Sequence, residues 1–326
     1  MVHPFDPILV PLDGSQLAEC VLPHAAAFAR SFNAEMMLLR ILEKNQVGAS
    51  AQLFDLLNWQ IQKTKANIYL EETKERLKES NIRAHVIVLE GLVPEGITEY
   101  AQNQGVKLII LSSHGRHGLT QWGISSITQK TILSAPTSVL IVRAHQQKIL
   151  SGELSETPLY QRILVPLDGS QRAEHVLPII LQLAHVHKPT IHLAHVVQTP
   201  EMARQMPLAH EDIDLSNRVV TRNRDEAGHY LEQVKSRSNL QGIDVQTHLI
   251  TSDHTAAALH QMVEQQQIDM VTLSAHGYSG KHQWPYGSVV SNFILYGKVS
   301  LLIVQDMPAK QEPKPIELTS RDRAER

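Results

Sequence analysis

The chain is poor in cysteine, in net charge and in long apolar runs, and each shortage excludes a class of protein. Among its 326 residues only Cys20 is a cysteine, so no internal disulfide can form and a reducing compartment is expected. A formal net charge of −3 provides no strong field for nucleic acid or an anionic membrane. No apolar run approaches a membrane span, and the N-terminus lacks the pattern of a signal peptide. We therefore expect a cytoplasmic protein with no nucleic acid and no membrane as partner.

One feature of the sequence occurs twice. The segment ILVPLDGSQLAECVLPHAAAFA begins at Ile8, and its near copy ILVPLDGSQRAEHVLPIILQLA begins at Ile163. Later, LSSHG ends at Gly115 and LSAHG ends at Gly277. One fold is therefore repeated head to tail. We predict a first domain over 1–145, a linker over 146–160, a second domain over 161–305 and a disordered tail over 306–326, which is charged and poor in apolar residues.

Within each copy, short apolar runs alternate with segments of helical period. The first copy contains PILVPL, AEMMLLRIL, RAHVIVL, KLIILS and SVLIV, and the second contains RILVPL, TIHLAHVV, DVQTHLI, DMVTLS and SLLIV. Continuous apolar runs are typical of strands that are covered on both faces. The alternation predicts an α/β fold of two tandem Rossmann-like domains, each with a five-stranded parallel doubly wound sheet.

Two loops of each copy carry polar and small residues at places where such sheets bind ligands. Asp13 and Asp168 directly follow the first strand, where a carboxylate can accept hydrogen bonds from a ribose or an adenine amino group. After the fourth strand, a small pair that opens a helix, Ser125-Ser126 or Gly287-Ser288, stands nine residues beyond LSSHG or LSAHG. Such a loop can present backbone N–H groups to phosphates. The alternative is that these residues only make turns and cap helices.

Both halves resemble the universal stress protein family, and the whole chain resembles its tandem two-domain members. The resemblance implies a five-stranded parallel sheet and, in the ATP-binding branch, the motif G-x2-G-x9-G-[ST] after the fourth strand. It also implies that the Asp after the first strand and an apolar residue ending the second strand hold the nucleoside. These roles fall to Asp168 and Val196 in the second copy, and to Asp13 and Ile41 in the first.

The resemblance extends to a set of expected nucleotide-binding residues. In the second domain they are Pro166, Leu167, Asp168, Val196, Ser274, Ala275, His276, Gly277, Gly287, Ser288 and Val289. In the first domain they are Asp13, Ile41, Ser112, His114, Gly115, Arg116, Ser125 and Ser126.

The two copies depart from the motif to different extents. Ser274 replaces its first glycine in the second copy, whereas Ser112 and Ser125 replace its first and third glycines in the first copy. If the third position requires a positive φ, Ser125 costs about 1 kcal/mol there. We therefore expect the second domain to be the better site.

The expected ligand is ATP, with or without Mg²⁺, and the expected role is that of a stress-response regulator or sensor. Two alternatives stay open: a tandem module without ATP that serves as scaffold or small-ligand carrier, and a slow ATPase. No base that could activate water is identifiable, so no catalytic residue is predicted. No metal site is predicted either, because His192 and His195 lie three apart on a strand and point to opposite faces.

The assembly follows from the last strand of each copy, SVLIV and SLLIV. In the resembling family these strands lie at sheet edges, and exposed apolar edges tend to be paired or covered. We expect the two edges to pair within the chain, and a homodimer of whole chains is a further expectation.

Overall fold

The computed structural model describes residues 4–43, 52–115, 124–144, 159–200, 210–237, 242–278 and 285–306, with the backbone alone over 52–56 and 210–212. Arg116, most of the predicted linker and the predicted tail beyond Asp306 lie outside these described residues.

The first half alternates strands and helices as the apolar pattern predicts. Its elements are β1 (Ile8–Pro11), α1 (Gln16–Glu19), α2 (Val21–Phe32), β2 (Met36–Leu42), α3 (Gln52–Glu79), β3 (Ala84–Glu90), α4 (Val93–Asn103), β4 (Leu108–Ser112), α5 (Ser126–Ser134) and β5 (Ser138–Val142). The first helical segment breaks at Cys20 because Pro23 lies in the first turn of α2, where it donates no hydrogen bond to the preceding turn.

The second half repeats this order. Its elements are β6 (Arg162–Pro166), a 3₁₀ turn (Ala173–Val176), α6 (Leu177–His187), β7 (Thr190–Val197), α7 (His210–Arg237), β8 (Val245–Thr251), α8 (Thr255–Gln265), β9 (Met270–Ser274), α9 (Ser288–Tyr296) and β10 (Ser300–Val304). Pro178, the counterpart of Pro23, again lies in the first turn of its helix.

The ten strands of the described residues form one sheet, in the order β3-β2-β1-β4-β5-β10-β9-β6-β7-β8. Strands pair in parallel within each half, which confirms the predicted fold class. The halves join where β5 and β10 pair antiparallel, with Leu140 opposite Leu302. The expected pairing of the two last strands within the chain is therefore present.

The two halves also meet on both faces of the sheet. On one face, Tyr160, the last residue of the predicted linker, is fully buried, and its hydroxyl lies 2.7 Å from Nδ1 of His24 on α2. On the other face, the buried guanidinium of Arg143 donates to the carbonyl of Phe293 on α9, at 2.7 Å. The junction is thus a packed interface with polar contacts.

Among the residues that the structure describes, no helix combines the length and the apolar character needed to cross a bilayer, and this includes the 28-residue α3 and α7.

Candidate functional site

Each half has a large pocket beyond the carboxyl ends of its parallel strands. The strand order reverses between β1 and β4 and between β6 and β9, and this is where open α/β sheets form a crevice. The first pocket, of about 820 Å³, is lined by Asp13, Ile41 and the loops after β1 and β4. The second pocket, of about 1150 Å³, is lined by Asp168, Val196 and the equivalent loops.

The Asp-Gly-Ser turns of the two pockets have the same construction. In the second, Asp168 Oδ1 accepts from the backbone N–H of Ser170 at 3.0 Å and from its hydroxyl at 2.6 Å. The intervening Gly169 has φ of 84°, which glycine adopts without strain. The Ser170 hydroxyl accepts from the N–H of Ala173 and so satisfies one donor of the next turn. These residues therefore do make the turn and the cap that the alternative interpretation expects.

The carboxylate also connects the two loops of its pocket. Asp168 Oδ2 accepts from the backbone N–H of Tyr278 at 2.6 Å, so that the β6 turn is tied to the loop after β9. The backbone of Gly277 passes so close that a Cβ there would collide with this carboxylate. Gly115 and Asp13 have the same relationship in the first pocket. A side chain at either position would thus displace the aspartate carboxylate from its present place, independently of any ligand.

The helices that open at the pockets begin at the small pairs identified in the sequence. Gly287 precedes α9 with φ of −67°, and Ser125 precedes α5 with φ of −73°. The third motif position therefore has no positive φ in either half. The condition on which Ser125 was expected to be strained is not met. The Ser125 hydroxyl instead accepts from the N–H of Thr128 at 3.1 Å and caps α5, whereas α9 has no side-chain cap.

The first motif position also differs between the pockets. In the first pocket, the Ser112 hydroxyl lies 2.8 and 2.6 Å from the carbonyl oxygens of Leu17 and His114, and its single proton can be donated to either of them. In the second, Ser274 Oγ is buried and has no hydrogen-bond partner in the described part of the chain. Buried hydroxyls normally have a partner, so this group fits a pocket that receives a polar ligand.

Most predicted site residues line the two pockets. In the second pocket these are Pro166, Leu167, Asp168, Val196, Ser274, His276, Gly277, Gly287, Ser288 and Val289. In the first they are Asp13, Ile41, Ser112, His114, Gly115, Ser125 and Ser126. Ala275 is fully buried behind the second pocket, where its carbonyl accepts from the N–H of Gly287 at 2.9 Å.

The structure adds residues from the ends of β2 and β7 and from the long helices, which sequence reasoning missed. The first pocket gains Arg40, Glu43, Gln62, Lys65 and Tyr69, and the second gains His195, Gln198, Asn223, Glu226, Tyr230 and His254. One signal was available, because Tyr69 and Tyr230 stand at equivalent places in YLEETKER and YLEQVKSR.

The electrostatics of the added residues follow from burial and from neighbouring carboxylates. Burial, and then Glu19 or Glu174, raises the pKa of Tyr69 and of Tyr230 well above its usual value, so both phenols are neutral. Burial lowers the pKa of His195, which favours its neutral form. In the described ranges no three His, Cys, Asp or Glu side chains come together as metal ligands.

Comparison with known proteins shows that the chain is similar to universal stress proteins. The model of the universal stress protein family matches residues 4–143 and again 159–305. Universal stress protein YxiE of Bacillus subtilis is 28% identical over 148 residues, covering 43% of this chain and 99% of its own length. A universal stress protein of Methanocaldococcus jannaschii is 27% identical over 137 residues, covering 42% of this chain and 81% of its own.

Solved structures agree in fold over nearly the whole chain. A universal stress protein from Archaeoglobus fulgidus matches with a TM-score of 0.61 and 17% identity, covering 94% of this chain and 100% of that chain. A putative universal stress protein from Pseudomonas aeruginosa matches with a TM-score of 0.62 and 14% identity, covering 92% and 93%. At these identities the likeness carries the fold alone.

Proposed function

Because the chain belongs to the universal stress protein family, we propose that it is an adenine-nucleotide-binding regulator or sensor in a stress response. The nucleotide, ATP with or without Mg²⁺, would bind in both pockets. One observation carries the proposal. In each half, an aspartate turn, a loop of small residues and a helix N-terminus surround a large pocket.

The loop after the fourth strand supplies the anion-binding side of this proposal. Ser288 begins α9 and Ser126 begins α5, and the first N–H groups of a helix have no partner within it. The helix dipole adds a partial positive charge at the same end. In the second pocket the Ser274 hydroxyl, which has no partner among the described residues, is a further donor. Phosphate groups would therefore lie against this loop.

The ends of the first two strands supply the nucleoside side. Val196 and Ile41 are half-buried apolar side chains that line their pockets and offer contact to a base. Asp168 and Asp13 stand beside them as hydrogen-bond acceptors, and a carboxylate retains acceptor capacity beyond the bonds to its own loops.

A regulatory role is favoured over catalysis because the sequence motifs identify no base that could activate water. His276 Nδ1 lies 2.8 Å from Asp306, a buried carboxylate, and this contact fixes the imidazole in the loop. Slow ATP hydrolysis and a scaffold or carrier role without ATP stay as alternatives. Mass spectrometry of the ligand released from denatured, freshly purified protein separates them: adenine nucleotide supports the proposal, and another small molecule supports the carrier.

The proposed function includes a cytoplasmic location and the possibility of a homodimer of whole chains. The single cysteine, Cys20, fits the reducing cytoplasm. A homodimer, if it forms, has to use surfaces other than β5 and β10, because those edges already pair with each other.

The test of the site itself is an Asp168→Ala variant. Loss of hydrogen bonds between a carboxylate and the nucleoside costs about 1.5–3 kcal/mol, which is roughly a ten- to hundredfold weaker ATP affinity. Isothermal titration calorimetry measures the ATP affinity of the second pocket in a protein whose first pocket is blocked by Ile41→Trp.

The control is Ser170→Ala, which removes a hydroxyl that bonds Asp168 but does not line the pocket. We expect this variant to keep nearly all of its ATP affinity. An equal loss in both variants, or none in a folded Asp168→Ala protein, would mean that the aspartate serves the turn alone.

A further inference from the structure

The two pockets differ in the charge of equivalent side chains. In the strand registers, Pro11 pairs with Leu39 and Pro166 pairs with Ala194, so Arg40 and His195 occupy the same place at the end of β2 and β7. Arg40 is cationic at any physiological pH. Burial lowers the pKa of His195, so the second pocket lacks this charge near neutral pH.

The long helices repeat the difference. Lys65 on α3 lines the first pocket, whereas Glu226 on α7 lines the second, and each precedes a buried alanine that faces its own pocket. Glu226 is exposed and pairs with Arg222 at 2.9 Å, so part of its charge is balanced outside the pocket.

The acidic lining residues complete the comparison. The first pocket has Asp13 and Glu43, which balance Arg40 and Lys65. The second has Asp168 and Glu226, and no Lys or Arg stands among its described lining residues. Counting Asp, Glu, Lys and Arg alone, the described linings are therefore formally neutral in the first pocket and doubly negative in the second.

We propose that this difference divides ligands between the pockets: the first takes the more highly charged adenine nucleotides, and the second takes adenine ligands of low charge. This inference rests on the proposed function and refines it. It also reverses the expectation that the second domain binds ATP better, an expectation that depended on the positive φ that the structure lacks at Gly287.

The reason is that both pockets offer an aspartate turn and a helix N-terminus, so these common contacts cancel in the comparison. The second pocket adds only a neutral donor, the Ser274 hydroxyl, which has no partner among the described residues and weighs less than a charged side chain. The residual difference is electrostatic, and it grows with the charge of the ligand. A unit charge several ångströms from a phosphate in a partly solvated crevice changes affinity by about tenfold at low ionic strength, and by less in salt.

The experiment compares one-pocket versions of the full chain. Val196→Trp fills the second pocket and leaves the first, and Ile41→Trp does the opposite; circular dichroism establishes that both are folded. Adenosine, AMP and ATP are titrated calorimetrically at about pH 7.5 and low salt. We expect ATP to bind at least about tenfold more tightly than adenosine in the first pocket, and no more tightly than adenosine in the second.

Charge exchange provides the second arm. Lys65→Glu in the first-pocket protein should lower the ratio of ATP to adenosine affinity about tenfold, and Glu226→Lys in the second-pocket protein should raise it similarly. The control is Lys78→Glu on α3, an equal charge change at an exposed position away from the pocket, which should leave the ratio unchanged. Both exchanged residues are exposed, so the variants should fold.

The outcomes separate the inference from the proposed function. Binding with the same ATP to adenosine ratio in both pockets, or a ratio that Lys65→Glu leaves unchanged, overturns the inference alone. If none of the three ligands binds to either pocket, the proposed function fails together with it.

Discussion

The two halves of the molecule build their pocket turns in the same way and differ most in the contacts they make with each other. The turns at Asp13 and Asp168 have the same hydrogen bonds and the same glycine beside the carboxylate. At the junction, by contrast, Arg143 directly follows β5, whereas Gln305 directly follows β10. The hydroxyl of Tyr286 donates to the carbonyl of Ile132 across the junction, at 2.8 Å.

The difference shows what a tandem chain permits. Strand pairing at the junction is symmetric, with Leu140 opposite Leu302, but the side chains around it are not. Two identical subunits related by a twofold axis must present the same residue twice. In one chain each copy can change independently, so the junction can acquire one-sided contacts while the pockets retain their common plan.

The largest expected effect comes from removing the Arg143 side chain. Its guanidinium, 1% exposed, donates to the carbonyls of Phe293 and Ile294 at 2.7 and 2.9 Å, and Gly297 leaves space beside it. Arg143→Met leaves these carbonyls buried without that donor. We expect a loss of about 3 kcal/mol in the free energy of unfolding, measured by urea titration.

The matched control is Gln305→Met at the equivalent position. Gln305 Oε1 is buried and already lacks a partner among the described residues, so its removal should cost less than about 1 kcal/mol. Comparable losses in the two variants would show that the junction does not depend on the arginine.

A second difference lies inside the sheet and gives the second half an acid sensitivity. His192 Nδ1 lies 3.0 Å from His248 Nε2, where the first half has Met37 and Ile87. Burial and then His248 lower the pKa of His192 from 6.5 to about 4. The folded state thus binds protons less readily than the unfolded state, so this stability is present above pH 6.5 and declines as the pH falls toward 4.

The variant that copies the first half, His192→Met with His248→Ile, should remove the part of this decline that the histidine pair causes. Buried His24, whose pKa is also lowered to about 4, is present in both proteins. At 1.36 kcal/mol per pH unit, the native protein should lose about 2 kcal/mol more than the variant between about pH 7.5 and about pH 5. Urea unfolding at both pH values measures the difference. Parallel pH profiles for the two proteins would contradict the prediction, and the exposed His229→Gln variant should retain the native profile.

The sequence predicted those features that depend on local pattern. Strands and their parallel order follow from alternating apolar runs and helices, and the pocket turns follow from Asp-Gly-Ser twice at the end of a strand. Repetition within the chain located both loops. For this reason nearly every residue expected at the nucleotide sites lines one of the two pockets; the exceptions are the buried Ala275 and Arg116, which lies outside the described residues.

The features that could not be predicted from the sequence depend on long-range packing or on backbone angles. Which residues of α3 and α7 face the pockets, such as Lys65 and Tyr230, depends on how each crossover helix packs on the sheet. Tyr160 stands in a polar segment, yet it is buried between helices of both halves. Glycine tolerates both signs of φ, so Gly287 in a motif did not by itself determine the backbone there.

The smallest expected effect is a change in stability on exchanging the residues that precede α5 and α9. Its sign tells whether the backbone there has a negative φ. Ser125 caps α5 through Thr128, whereas Gly287 gives α9 no side-chain cap. A Cβ at Gly287 would lie 3.7 Å from the Ala275 carbonyl, which is ordinary contact, and φ is −67°. Gly287→Ser should therefore stabilise the protein by a few tenths of a kcal/mol, and Ser125→Gly should destabilise it by a similar amount.

Thermal unfolding of the two single variants and the double exchange measures both changes. The effects should have opposite signs and should nearly cancel in the double variant, because the two caps lie in separate helices and share no partner. A positive φ at the third motif position would reverse the first sign, since a serine there costs about 1 kcal/mol. If Gly287→Ser destabilises the protein, a positive φ at this position again becomes a reason to expect tighter ATP binding in the second pocket. If it stabilises the protein, the pockets are distinguished by their charge alone.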